Sequence, residues 1–237
     1  MKLRSFVFLI FLFSLNTVFA KDKVVLCSTS GVIAPMSFRV LKEAYAQLGI
    51  MAELKVLPGE RALHESNNGL TDGEVMRVAG VSKTYTNLVI VPVPVNKIYW
   101  VAVVKDKKIK VKTWEDLKPY TLGIMKGVKF PENKTKGMKV EPVPTNSNIL
   151  QKVSSDRNDI GILTKLSALI EINKMDLKEL TILEPPLDTT LLYHYLHKSN
   201  QDLVPKITKV LKKMERNGTI AKILDEEIQK LIDATKK

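Results

Sequence analysis

The chain has 237 residues, 45% of them hydrophobic and 26% charged, with a formal net charge of +12 and a single cysteine, Cys27. That length holds one large α/β domain or two small ones with real cores, and a lone cysteine excludes an intramolecular disulfide. The positive excess favours an anionic ligand or an acidic membrane surface, but the lysines are not interleaved with aromatics in the way that suggests nucleic acid.

Residues 1–20 read as a cleavable secretion leader. Lys2 and Arg4 precede an apolar run at 6–13, and Val18-Phe19-Ala20 stands before the cleavage point. The run is shorter than the roughly 20 residues that span a bilayer. A soluble, monomeric, periplasmic protein is therefore expected from residue 21 onward, and loss of Lys2 and Arg4 lowers its formal charge from +12 to +10.

The remaining chain opens with a strand at 24–27, in which Cys27 is a small buried residue. A loop of small residues follows at 28–35. Phe38, Leu41, Tyr45 and Leu48 then recur at helical spacing until Gly49. A second strand at 52–57 runs into Pro58, which suits the first turn of a helix carrying Ala62, Leu63 and Ser66. A third strand at 72–78 completes a βαβαβ unit. A long extended stretch at 88–104 contains Pro92 and Pro94, and the lysine run at 105–112 is a solvated strand end and turn.

The same order then returns: strand 120–125, a turn and short helix after Gly127, strand 139–143, helix 146–154 and strand 160–163. Two such units predict two lobes, each a mainly parallel sheet covered by helices. A second extended stretch at 187–197 follows Pro185-Pro186 and leads back. The helical tail at 202–232, broken at Gly218, carries Val204, Ile207, Val210, Leu211 and Met214 on one face and should pack on the first lobe. Lobe 1 is thus assigned to 21–104 plus 188–237 and lobe 2 to 105–187, with hinges near Val104 and Asp188.

Several pieces, in this order and spacing, resemble the family 3 extracellular solute-binding proteins, the periplasmic receptors of polar amino acid ABC transporters. They are Pro58-Gly59-Glu60-Arg61-Ala62-Leu63 with Asn68-Gly69 and Asp72-Gly73; Thr113-Trp114-Glu115-Asp116-Leu117 with Leu122-Gly123-Ile124; Arg157-Asn158-Asp159-Ile160-Gly161; and Asn217-Gly218-Thr219-Ile220. The resemblance covers nearly all of the chain beyond the leader. It implies an α/β two-lobed periplasmic binding protein fold of type II, with two crossing strands as hinge and a solute held in the cleft for an ABC permease. Two departures stand out. Thr84 is followed by Tyr85-Thr86-Asn87, without the family's carboxylate-clamping arginine, and Thr164 stands where the family places an aspartate for the α-amino group.

In open parallel sheets, ligands gather at the carboxyl ends of strands and at helix N-termini. The candidate ligand contacts are therefore Ser30, Pro35 and Met36; Glu60 and Arg61; Arg77; Lys126 and Gly127; Asn146; and Thr164. Arg61 sits in a helix first turn, where the dipole disfavours a cation, and the planar guanidinium of Arg77 suits a bidentate carboxylate. Replacing Arg77 by Ala is expected to weaken ligand binding and leave the empty protein's stability unchanged. Met36 and Trp100 read either as an apolar ligand wall or as core. His194 and His197 fall on opposite faces of an extended segment, and no HExxH or nucleophile turn is present, so no metal, cofactor or catalysis is expected. A receptor for a membrane signalling partner, and a dehydratase using Glu60 or Glu184, are the alternative functions.

Overall fold

The structure is a computed structural model describing residues 21–235; the expected leader lies outside the described residues. Strand β1 (Lys23–Ser28) leads into helix α1 (Ile33–Ala46), then β2 (Met51–Val56), α2 (Gly59–Asn67) and β3 (Gly73–Val78). β1 pairs in parallel with both β2 and β3. Val24, Leu26 and Cys27 are fully buried, as expected of a strand covered on both faces. α1 starts at Ile33, five residues before the first expected contact at Phe38, because Ala34, Met36 and Ser37 are also buried in its first turns.

The second unit is β5 (Leu122–Met125), α3 (Lys129–Lys134), β6 (Val140–Val143), α4 (Asn146–Ser154) and β7 (Ile160–Thr164), again a parallel set. Two elements had no counterpart in the sequence reading: α5 (Lys165–Lys174) and the short β8 (Thr181–Ile182). The tail forms α6 (Leu203–Arg216) and α7 (Thr219–Ala234), divided at Gly218 in the left-handed region, where a side chain would be strained.

Joining the two units are β4 (Leu88–Val104) and β9 (Asp188–His197), antiparallel to each other. Pro92 and Pro94 do not interrupt β4. The register against β9 shifts between Ile90 and Pro94 and again between Pro94 and Asn96, so the imino acids sit where ladder hydrogen bonds are already lost. The nine strands among the described residues share one hydrogen-bonded network, with β8 paired to β4 beside the order β2-β1-β3-β9-β4-β7-β5-β6.

The cores are nevertheless separate. Val91, Val93 and Val95 of β4 pack with α1, α6 and α7 in the first. Val101 and Val103 pack with α4 and Ala168 of α5, and Ala102 and Val104 lie on the opposite face with β5 and Leu117. The change of core thus falls between Val95 and Val101, earlier than the expected hinge at Val104, which pairs with Ile160 well inside the second half. The tail helices supply Ile207, Leu211, Met214 and Ile223 to the first core, as expected.

Candidate ligand cleft

The strand directions define the site. β3 runs antiparallel to β9 and β9 antiparallel to β4, so β1 and β3 run with β4 toward the second half. β7 runs antiparallel to β4, and β5 and β6 run with β7, back toward the first half. The carboxyl ends of two parallel sheets therefore converge on the crossing, where 96–100 of β4 pair with 188–192 of β9.

On the first-half edge, Arg77 is held by the protein itself. Its Nε donates to Glu74 Oε2 at 2.7 Å and its Nη2 to the Gly59 carbonyl at 3.1 Å. Glu74 is fully buried and also accepts from Ser66 Oγ at 2.9 Å. Burial pushes the Glu74 carboxyl above its usual range, against the opposing pull of Arg77 and Ser66. Removing Arg77 would strand that carboxyl in the interior, so the expectation of unchanged stability on Arg77→Ala is corrected. A Cβ on Gly59 would lie 3.5 Å from Thr29 Cγ2 and 3.9 Å from Arg77 Nη1, which brings these three residues together at the sheet edge.

Glu60 accepts from the Tyr85 hydroxyl at 2.7 Å, whereas the exposed Arg61 turns along its own helix to Glu65 at 2.9 Å. Behind this edge, His194 Nδ1 lies 2.7 Å from the Glu74 backbone carbonyl and Nε2 lies 2.8 Å from Tyr45 Oη. A carbonyl only accepts, so Nδ1 carries the proton and Nε2 accepts from Tyr45. Burial lowers the His194 pKa to about 4, keeping the ring neutral.

The second-half edge is built from caps and aromatic rings. Lys126 and Gly127 follow β5 in an exposed turn, and Gly127 donates its N–H to Glu132 at 2.7 Å. Asn146 opens α4, which Thr145 caps by accepting the Asn148 N–H at 3.1 Å; Thr164 caps α5 by accepting from Ser167 at 3.2 Å. Trp100 stacks on Phe130 with ring centroids 4.8 Å apart, and Trp114 meets the same ring edge-on at 6.0 Å. Lys134 lies over Phe130 and Trp114 and pairs with Asp188 at 2.8 Å. That ammonium holds the Asp188 carboxyl below the usual range.

Trp100 faces α3 at the crossing through its stack on Phe130. A cavity of about 540 Å³ opens between α1, residues 94–99 of β4, α5 and the α6–α7 corner. Ile33, Met36, Tyr99, Leu166, Leu224 and Ile228 line it, with Asn96, Lys97, Thr164 and Asp225 as polar members. Of the ten predicted contacts, Met36 and Thr164 line this cavity, Ser30 is exposed ahead of α1 and Pro35 is exposed in its first turn. Glu60, Arg61 and Arg77 lie at the start of α2 and the end of β3, while Lys126, Gly127 and Asn146 lie along the second-half edge. The walls from α5 and α7 were not foreseen; Leu166 and Leu169 at i,i+3 were the available signal for α5.

No protein-family model matches the chain. An uncharacterized protein of Shewanella oneidensis is 24% identical over 190 residues, 76% of this chain and 70% of that protein. Among solved structures, the L-cystine solute receptor of Neisseria gonorrhoeae, unliganded and open, is similar with a TM-score of 0.72 at 17% identity, over 88% of this chain and 93% of that one. An amino acid ABC transporter substrate-binding protein from Streptococcus pneumoniae bound to L-arginine gives 0.60 at 15% identity, over 89% and 96%. A histidine kinase sensor domain with similarity to periplasmic binding proteins gives 0.61 at 11% identity, over 87% and 96%. The chain has the two-lobed α/β fold of these binding proteins.

Proposed function

We propose that this protein is an exported, divergent relative of the family 3 solute-binding proteins, whose halves close over a small solute at the β4–β9 crossing and deliver it to an ABC-type importer without catalysis. The observation that carries this reading is the convergence of strand carboxyl ends from two separate cores on one two-stranded ribbon. The proposed lobes are 21–95 with 192–235 on one side and 101–187 on the other, a division supported by the separate cores. Ser30, Met36, Arg77, Lys126, Gly127, Asn146 and Thr164 are the contacts assigned to the solute.

The solute's chemistry differs from that of an ordinary α-amino acid. Thr164 offers no charge for an amino group, and Arg77 is largely neutralised by Glu74. Its Nη1 has no hydrogen-bond partner among the described residues and remains the donor for an anionic group. The apolar wall from Met36, Leu166 and Leu224 calls for a solute with an apolar body. Closing a mostly open population takes about 5.5 kcal/mol of differential affinity, which a few charge-assisted hydrogen bonds of about 1.5–3 kcal/mol each supply.

The likeness to a sensor domain favours a second reading, in which the closed form reports to a membrane receptor. A thermal-shift panel of amino acids, carboxylates, amines and sugars tests the binding both readings require. The two tryptophans, Trp100 and Trp114, both contact Phe130 near the crossing, so closure should also change intrinsic fluorescence. A panel in which no compound moves either signal would count against both readings; solute uptake by a strain lacking the protein separates them.

A further inference from the structure

α6 buries Leu203, Ile207, Leu211 and Met214 in the first core. At about 100° per residue, its opposite side gathers Lys206, Lys209, Lys212, Lys213 and Arg216 within an arc of about 120°. All five are exposed, and none forms an ion pair with a described residue. Asp202 precedes the helix within the same arc, Glu215 lies about 60° outside it, and a shallow groove runs along Pro205, Thr208, Lys209, Lys212, Glu215 and Arg216.

The helix dipole accounts for cations in the last turn, but it opposes Lys206 in the first turn and does not reach Lys209 in mid-helix. Spacings of three and four residues set like charges against each other at 206/209, 209/212, 209/213, 212/216 and 213/216. Each such pair is unfavourable on an isolated helix, and an anionic partner relieves all of them together.

We infer that the outer face of α6 docks the protein on an anionic membrane surface, holding phosphate-bearing lipid headgroups against Lys206, Lys209, Lys212, Lys213 and Arg216. The apolar face is sealed in the core, so the attachment is electrostatic and peripheral rather than inserted. It does not depend on what the cleft binds.

Sedimentation of the purified protein with phosphatidylcholine vesicles, with and without phosphatidylglycerol, tests this. Binding is expected only to the anionic vesicles at low salt, with release at about 0.5 M salt, where the Debye length falls to a few Å. Lys209→Glu with Lys213→Glu should weaken partitioning about tenfold or more. Lys107→Glu with Lys108→Glu makes the same change in net charge on another exposed turn and should alter it by less than about twofold. Absence of binding at low salt, retention of binding by the α6 variant, or equal loss in the two variants overturns the inference. So does displacement by millimolar inorganic phosphate, or preference for polyglutamate over the vesicles.

Discussion

The two βαβαβ units repeat one order but bury different chemistry. Ser37, Ser66, Thr71, Glu74 and His194 lie inside the first half, while Thr135 and Asn158 are the buried polar residues of the second among those described. The first half therefore holds Arg77 on an internal hydrogen-bonded frame. The second carries its charges outside, around an aromatic stack and two capped helices, and packs two aliphatic layers within. Similar topology thus supports an internally held guanidinium on one side of the crossing and a solvated surface on the other.

The sharpest test uses one glycine from each half. A Cβ on Gly73 would lie 2.0 Å from the Tyr195 carbonyl oxygen, a backbone atom of the neighbouring strand that cannot yield without moving β9. A Cβ on Gly161 would lie 2.6 Å from Ile149 Cγ2, a side-chain methyl on α4 that yields only if the helix shifts by a few tenths of an ångström, whereas the Gly73 clash is deeper and against backbone. Gly73→Ala should cost about 4 kcal/mol or more and Gly161→Ala about 1–3 kcal/mol, read from urea midpoints. Equal losses would mean that the two sheets are framed alike.

Next in size is the buried pair. Arg77→Ala takes the cation away from the buried Glu74 carboxyl, which burial already pushes toward its protonated form, and should cost about 3 kcal/mol even without ligand. Glu74→Gln added to Arg77→Ala should recover a large part of that loss, because an amide needs neither the cation nor an added proton. A double variant as unstable as the single one would assign the cost to packing instead.

The frame also makes the first half acid-sensitive. His194 is lowered from 6.5 to about 4, so the unfolded chain binds its proton first. This stability is fully present above pH 6.5 and is lost as pH falls through 4, by about 3 kcal/mol in total. Glu74 acts in the opposite sense: its raised pKa favours the folded, protonated form as pH falls, so its contribution partly offsets the His194 loss. His194→Gln should flatten the decline between pH 6.5 and 4 in denaturation midpoints. An unchanged decline would place the acid sensitivity elsewhere.

Much of this fold was legible in the sequence because each unit carries its own local period. Residues 146–154 were read as a helix and match α4, and 88–104 was read as extended and matches β4. The place where β4 changes cores was not legible: Val95 and Val101 are both valines in one continuous strand, and only their partners differ. α5 was missed because its apolar side chains, apart from Ala168, are only partly buried, with Leu166 and Leu169 on the cavity and Ile172 against the second core. The cavity itself joins Ile33, Asn96, Thr164 and Leu224, residues so far apart in sequence that no window contains two of them. Arg77 stands near the carboxyl end of β3 as the strand pattern predicts, but Glu74, three residues earlier in an alternating strand, gave no sign of bonding back to it.

The smallest predicted effect separates the fold from the site. Thr145 and Thr164 both cap helices of the second half, at 3.1 and 3.2 Å, and replacing either by Ala should cost about 1 kcal/mol. Only Thr164 also lines the cavity at the crossing. Thr145→Ala should therefore lower the midpoint of the empty protein while leaving the shift produced by a bound solute intact. Thr164→Ala should lower the midpoint by a similar amount and shrink the solute-induced shift as well. If both variants keep the full shift, the solute does not reach α5, and the cleft must close on the α3 side, against the rings of Trp100 and Phe130.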